Sequence, residues 1–341
     1  MGLTVSVSIV LYNSARDVEG CLEAVRAQTR LPDTVIVVDN ASGDDGLVRA
    51  RRTLPDGRFV RLDRNVGFAA AHNRAMAAAS ADVHVVLNPD CRLAPTFLER
   101  VVSVLESDRT AGSVTGRLLR FRGDDDPGPP IECPDDRLDS TGMVGLRNRR
   151  VLDRGSDALA AGAYLEPGYV FGASGAAAVY RRAMLEDIAC EGQFFDESFF
   201  AYREDVDLAW RAQLLGWRCR YEPTALARHR RFVTPERRRR LPPEINRMSV
   251  ANRWRLIAKN EVPLGWELDW VHIVRRDVAI IGYCWLRERY TLRALLDVIG
   301  DRDRLRKWRT NTMRRRRVSD AQMVAWFGRI EQLPLDDTLE S

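Results

Sequence analysis

The chain has 341 residues, 45% hydrophobic and 30% charged, with a formal net charge of +5. That balance supports a large buried core and excludes an intrinsically disordered chain. The longest apolar run, "VAIIGYCWL" at 278–286, is half the roughly 18 residues a membrane span needs, so no transmembrane helix is predicted.

Residues 4–12 ("TVSVSIVLY") read as a buried first strand. This accounts for the N-terminus better than a secretory leader or a myristoylation signal in "MGLTVS". A helix is predicted over 15–28, then a Val/Ile strand at 33–42 ending in "DNAS". A third strand-like run at 58–68, an Ala-rich helix, the strand "DVHVVLNPDCRL" at 82–93 and the helix "APTFLERVVSVLES" come next. Short strands alternating with helices predict a doubly wound, mostly parallel α/β sheet, whose ligands bind beyond the C-terminal strand ends. Residues 121–168 are rich in Pro, Gly and Asp without a period and read as an exposed excursion. The sheet resumes at 168–185 and again at 217–232. After "TPERRRRLPPE" the composition turns to Arg- and Trp-rich amphipathic helices. A boundary is therefore expected near 235, with a catalytic domain over 1–235 (halves about 1–120 and 168–235) and a basic helical region over 236–341.

The cysteines at 21, 91, 133, 190, 219 and 284 contain no CxxC pair. They suit reduced thiols in a cytosol better than a disulfide framework or a zinc site.

Four groups could carry chemistry. Asp39 ends an apolar strand and either caps the next helix or accepts a hydrogen bond from a nucleotide base or ribose. A dinucleotide-binding dehydrogenase is disfavoured, because "LYNSARD" stands where a GxGxxG would be. Asn88 and Asp90 flank Pro89 at another strand end, where oxygen ligands suit a hard cation beside a diphosphate; a lone Asp there is otherwise a turn residue. His229 is either solvated beside a basic run or the nitrogen partner of Asp90 in a mixed site. In "SFFAYREDVDLAW" the acids Glu204, Asp205 and Asp207 open a helix, where acids complement the dipole. The aromatics before them are too apolar for a solvated loop, which places Glu204 and Asp205 at a pocket edge and leaves Asp207 as the ordinary helix-turn acid.

Taken in order, "VSIVLYNS", "VIVVDNAS", "NVGFAAAHN", "VVLNPD", "FGASGAAAVYRRAML", "FDESFFAYREDVDLAWRAQLLGW" and "ARHRR" resemble the inverting sugar-nucleotide glycosyltransferases of family 2, and within it the bacterial rhamnosyltransferase branch. The resemblance covers about residues 4–232 and implies the GT-A fold. It implies that Leu11, Tyr12 and Asn13 line a nucleotide pocket and that Asp39 binds the base. Asn65, Gly67 and Asn73 would hold the base, ribose and diphosphate region. Asn88-Pro89-Asp90 stands at the family's DxD motif with Asn in place of the first acid, leaving Asp90 and His229 to hold Mn²⁺ or Mg²⁺. Gly172, Ala173, Ser174 and Gly175 would lie near the sugar and acceptor. Asp205 matches the general base, and Glu204 would orient the sugar or acceptor. The expected donor is a nucleotide sugar, dTDP-rhamnose before a UDP-sugar, and the acceptor a glycan or lipid-linked glycan. A catalytically inactive binding module of the same fold is the alternative, and the joint presence of Asp39, Asp90, Asp205 and His229 weighs against it.

From Arg228 to Arg317 the chain carries 25 Lys and Arg against 10 Asp and Glu, so the remainder is net −10. Arg interleaved with Trp, Leu and Ile predicts peripheral binding to an anionic membrane on the cytoplasmic side, or else helices packed on the catalytic domain with solvated Arg faces. No nucleic-acid module accompanies the charge, so a nucleic-acid partner is not expected.

Overall fold

The computed structural model describes residues 2–122, 135–231 and 242–328. The expected boundary near 235, the Arg run at 237–240 and Cys133 lie outside the described residues. The other five cysteines are buried and form no disulfide among the described residues.

The first half builds β1 (Val5–Leu11), α1 (Val18–Arg26), β2 (Thr34–Asp39), α2 (Gly46–Thr53), β3 (Arg58–Arg61), α3 (Gly67–Ala77), β4 (Val83–Leu87), β5 (Cys91–Leu93), α4 (Phe97–Ser107) and β6 (Ala111–Arg120). Next come β7 (Leu138–Ser140), β8 (Met143–Gly145), β9 (Val151–Asp153), β10 (Gly168–Val170), β11 (Ala177–Arg181), α5 (Arg182–Ile188), α6 (Glu204–Leu214) and β12 (Arg218–His229). The chain then turns helical, with α7 (Pro243–Asn260), α8 (Pro263–Arg287), α9 (Ala294–Gly300), α10 (Arg302–Arg314) and α11 (Asp320–Ala325).

The main sheet runs β10-β12-β6-β11-β4-β1-β2-β3, with β5 on β12 and β7 on β6. β1 pairs in parallel with β2 on one side and β4 on the other, so the strand order reverses beside β1. All seven residues of β1 and all five of β4 are buried. That explains why their sequences are apolar runs, since helices cover both faces of a parallel sheet. Leu11 lies opposite Asp39, and Ile9 opposite Leu87. The register therefore brings Tyr12-Asn13, Asn40 and Asn88-Asp90 to one edge, the crevice where such sheets bind ligands.

The segment expected as an exposed excursion departs from that reading where it is described. Asp136, Asp139, Ser140, Thr141, Arg149 and Arg154 are all buried. Polar residues without a period look solvated in sequence, but here each acid meets a guanidinium: Asp136 pairs with Arg228, and Arg149 with Glu261 and Asp269.

The helical residues 242–328 hold the loop that precedes α6. Phe200, Tyr202 and Arg203 have positive φ (58°, 68° and 72°), a conformation costly for bulky side chains. Asn252 of α7, wholly buried, donates to the carbonyls of Phe199, Ala201 and Tyr202 at 2.9–3.1 Å. From the other side Gly67 (φ 86°) lets the loop approach α3, since a Cβ there would sit 2.5 Å from the Phe200 carbonyl oxygen.

Candidate active site

A cleft of about 620 Å³ opens at the sheet edge, and its wall includes Asn88, Asp90, Ser174, Gly175, Glu204, Asp205 and His229. Four segments far apart in sequence supply these residues, and strand pairing explains how they meet. β12 lies antiparallel to β5 with His229 opposite Cys91, so the imidazole arrives beside Asp90. His229 Nε2 stands 3.4 Å from Asp90 Oδ1 and 3.4 Å from the Asn88 amide nitrogen. Its Nδ1 is 2.8 Å from Asp139 Oδ2.

Sequence reasoning missed Asp139. It sits at the register shift between the pairs Leu118–Ser140 and Leu119–Leu138, an irregularity of the kind that re-aims a side chain. Its carboxylate also faces Arg231 at 2.8 Å and Arg120 at 3.8 Å. Burial raises its pKa, but His229 and the two guanidinium groups outweigh that and hold it below the ordinary value. Burial likewise lowers His229, yet Asp90 and Asp139 overcome it and push its pKa up to about 10. Two carboxylates thus face a position that requires positive charge. A proton on the ring supplies it, and a cation at Nε2 and Asp90 Oδ1 would supply it equally. Among the described residues no cluster of three or more His, Cys, Asp or Glu is arranged to hold a metal ion. The pair Asp90 Oδ1 and His229 Nε2 is of a chemistry that suits a hard cation, which would take its remaining ligands from phosphate oxygens and water.

The other chemical end of the cleft is the first turn of α6. Asp205 Oδ2 accepts from the Gly175 N–H at 3.1 Å, and Oδ1 from the Val206 N–H at 2.8 Å. Burial raises the Asp205 pKa; the Gly175 N–H opposes this, and the negative charge of Asp153 adds to it. Glu204 is pushed well above its usual value by burial and by Asp205, and its Oε2 has no hydrogen-bond partner. Phe68, Met143, Val151 and Tyr202 supply the apolar part of the wall.

Asp207 requires a correction. It is completely buried, with Lys259 Nζ at 2.8 Å, Arg211 Nε at 2.9 Å and Asn260 Nδ2 at 2.9 Å. The expected solvated helix-turn acid is the centre of a buried ion network joining α6 to α7.

The remaining residues divide by position. Leu11 is buried in the sheet, while Tyr12 is half exposed and Asn13, at φ 53°, holds the loop through Gly43 N–H at 2.8 Å. Asp39 accepts from Ser42 N–H at 3.0 Å and faces Arg61 at 3.3 Å. It closes its own loop and does not cap α2, whose N-cap position is Asp45 without a side-chain cap hydrogen bond. Asn65 Oδ1 accepts from Asn40 Nδ2 at 2.8 Å and Gly67 N–H at 2.9 Å, tying the β2 and β3 ends together. Leu11, Tyr12, Asn13, Asp39, Asn65 and Gly67 lie outside the lining of the cleft, and so do Asn73, Gly172 and Ala173. Asn73 spends its amide on Phe195 and Glu197, joining α3 to the 195–197 turn. Gly172 and Ala173 are buried, and a Cβ on Gly172 would lie 2.4 Å from that of Ala209 in α6. Their smallness serves helix packing.

Comparison with known proteins bears on the family and the fold. The family model described as Glycosyl transferase family 2 matches residues 6–189. An N-acetylglucosaminyl-diphospho-decaprenol L-rhamnosyltransferase of Mycobacterium tuberculosis is 26% identical over 250 residues, covering 65% of this chain and 75% of that one. Among solved structures, a mannosyltransferase from Pyrobaculum calidifontis in complex with GDP-Man and Mn²⁺ superposes with a TM-score of 0.50 at 17% identity, covering 95% of this chain and 86% of that one. GalNAc-T7 with UDP, GalNAc and Mn²⁺ gives 0.57 at 15% identity, covering 75% of this chain but only 48% of its own length. The architecture is the GT-A fold expected from the sequence.

Proposed function

Because the chain belongs to glycosyl transferase family 2, we propose that it moves a single sugar, L-rhamnose, from dTDP-rhamnose to a lipid-linked glycan acceptor during cell-surface polysaccharide synthesis. The observation that carries this reading is one cleft lined both by the Asp90–His229 pair and by Asp205 at the head of α6. The choice of rhamnose rests on similarity to the mycobacterial rhamnosyltransferase, and a UDP-sugar is the second donor in order.

Asp205 accepts the proton of the acceptor hydroxyl as that oxygen bonds to the anomeric carbon and the bond to the nucleoside diphosphate breaks. One displacement inverts the anomeric centre and needs no covalent nucleophile. The Gly175 N–H fixes the carboxylate, and burial raises its basicity. Glu204, whose pKa burial and Asp205 push well above the ordinary value, orients sugar or acceptor. Asp90 and His229 would hold a Mn²⁺ or Mg²⁺ ion, which when bound neutralises charge on the leaving diphosphate. Asp139 orients the His229 ring through Nδ1, the outer-shell arrangement that fixes an imidazole for ligation. Tyr12, Asn13 and Asp39, at the adjoining ends of β1 and β2, would meet the nucleoside.

A thermal-shift and hydrolysis screen of nucleotide sugars with and without Mn²⁺ tests this. dTDP-rhamnose with Mn²⁺ is expected to stabilise the protein most and to be hydrolysed. A larger response to a UDP-sugar would reassign the donor. Binding without any hydrolysis or transfer would favour the inactive module.

We further place the chain against an anionic membrane, by way of α8 rather than the Arg runs alone. No described helix is long and apolar enough to cross a membrane. Yet Leu268, Trp270, Val271, Val278, Trp285 and Leu286 share the outward side of this 25-residue helix and are exposed. Arg275, Arg287 and Arg293 are exposed and carry no ion pair among the described residues. Aromatic and aliphatic residues edged by cations suit the headgroup boundary. Flotation with anionic vesicles at low salt is expected for the wild type and lost in the double variant Trp270→Ser, Trp285→Ser. Equal flotation of both proteins would remove α8 from the membrane contact.

A further inference from the structure

A second cavity, about 390 Å³, lies between α7 and α8, and Arg203 and Ser249 line both it and the catalytic cleft. The two spaces are therefore neighbours across one guanidinium and one hydroxyl. Three arginines, Arg203, Arg253 and Arg276, converge on the smaller cavity. Arg253 is 1% exposed; its Nε donates to Asp277 at 2.7 Å, but neither Nη1 nor Nη2 has a hydrogen-bond partner. Buried guanidinium nitrogens without acceptors are costly, so the arrangement is suited to a ligand that brings oxygens. Positive charge accumulates there: burial, then Arg253, Arg150 and Arg276, bring the Arg203 pKa down to about 10. The far wall is apolar, formed by Ala279, Ile280 and Tyr283 of α8. The outward side of that same helix carries Val278, Ile281 and Trp285.

A planar guanidinium pairs best with phosphate or carboxylate in two-pronged fashion, and several converging arginines suit more than one phosphate. We propose that this cavity binds the diphosphate of a prenyl-diphosphate-linked acceptor, with the prenyl chain leaving along α8 and the glycan entering the cleft past Arg203 and Ser249. The inference rests on the lipid-linked acceptor proposed above and assigns its anionic anchor to residues separate from the donor side at Asp90 and His229. It also accounts for the placing of the apolar helix beside the site: one element would meet both the bilayer and the lipid being drawn from it.

Binding of farnesyl diphosphate in EDTA, where a cation at Asp90 and His229 contributes nothing, tests the assignment. Two variants are compared with wild type: Arg253→Met, which removes the two unpartnered Nη atoms, and Ala279→Glu, which adds a competing carboxylate at an exposed helix position. Farnesyl diphosphate affinity is expected to fall about tenfold or more in each variant, as loss of charge-assisted contacts implies. Inorganic pyrophosphate should displace it, and farnesol should bind far more weakly. dTDP affinity, measured separately with Mn²⁺, should stay within about twofold, since the phosphate contacts in question are not the donor's. Unchanged farnesyl diphosphate binding in the folded Ala279→Glu protein would overturn the proposal. So would equal binding of farnesol, failure of pyrophosphate to compete, or a parallel loss of dTDP binding. None of these readings depends on sugar transfer, so a wrong donor or an inactive enzyme would show in the nucleotide-sugar screen instead.

Discussion

Replacing Asp205 by Asn is expected to reduce sugar transfer by about 10²–10⁴-fold, the range a positioned general base contributes, while nucleotide binding and folding stay near wild type. The side chains have the same shape, and an amide oxygen can still accept from Gly175 N–H or Val206 N–H, which hold the carboxylate at 3.1 and 2.8 Å. The negative charge, the capacity to take a proton and one of the two acceptor oxygens disappear. Initial rates of transfer, beside isothermal titration of the nucleoside diphosphate, check this. Turnover within a few-fold of wild type would assign the proton to another group, and lost nucleotide affinity would make Asp205 a binding residue. The pH profile gives an independent readout. Burial and Asp153 raise the Asp205 pKa, so the acid limb of the rate should lie above the ordinary aspartate value. Asp153→Asn removes one source of that shift and should move the limb to lower pH.

Asp207→Ala is expected to destabilise the folded chain by about 3–5 kcal/mol, the cost of leaving a buried partner charge uncompensated. Lys259 and Arg211 are themselves fully buried; Lys259 retains Asp196 at 2.6 Å, and Arg211 the carbonyls of Ile188 and Phe194. What remains is a cation excess that water cannot reach. Urea unfolding at neutral pH measures the loss, and a change below about 1 kcal/mol would show that the network relaxes around the gap. The sign with pH is set by the carboxylate. Burial raises the Asp207 pKa, but Lys259 and Arg211 outweigh it and hold it below the ordinary value. The stability it contributes is present above the unfolded pKa and lost as pH falls through the folded one, so the gap between wild type and variant should narrow in acid.

Much of the scaffold was legible because its signals are local. Buried parallel strands show as Val/Ile runs, and the residues that end them, Asn13, Asp39 and Asn88, stand out as polar stops at the sheet edge. The family resemblance added the order of those stops and with it the fold. Asp139 was not legible. It lies in a stretch without periodicity, and its aim at His229 depends on a register shift between β6 and β7 that no single strand records. Nothing local marks Asn252 or Arg253, because their partners lie in a loop about fifty residues earlier and at Asp277 of α8.

The three acids at the head of α6 show where the division falls. Their spacing determined that Glu204, Asp205 and Asp207 open a helix, since helix dipoles and first-turn preferences act within a few residues. Their separate fates were decided in three dimensions. Asp205 meets Gly175 across the cleft, Glu204 is left with an unpartnered oxygen, and Asp207 is closed over by Lys259 from a helix 52 positions away in sequence. A charged carboxylate is stabilised in a protein interior where a cation arrives with it. Arg211, one turn on in α6, stands beside Asp207 in the sequence, but Lys259 arrives only through the packing of α7 on α6, and the residues around Asp207 contain no trace of it.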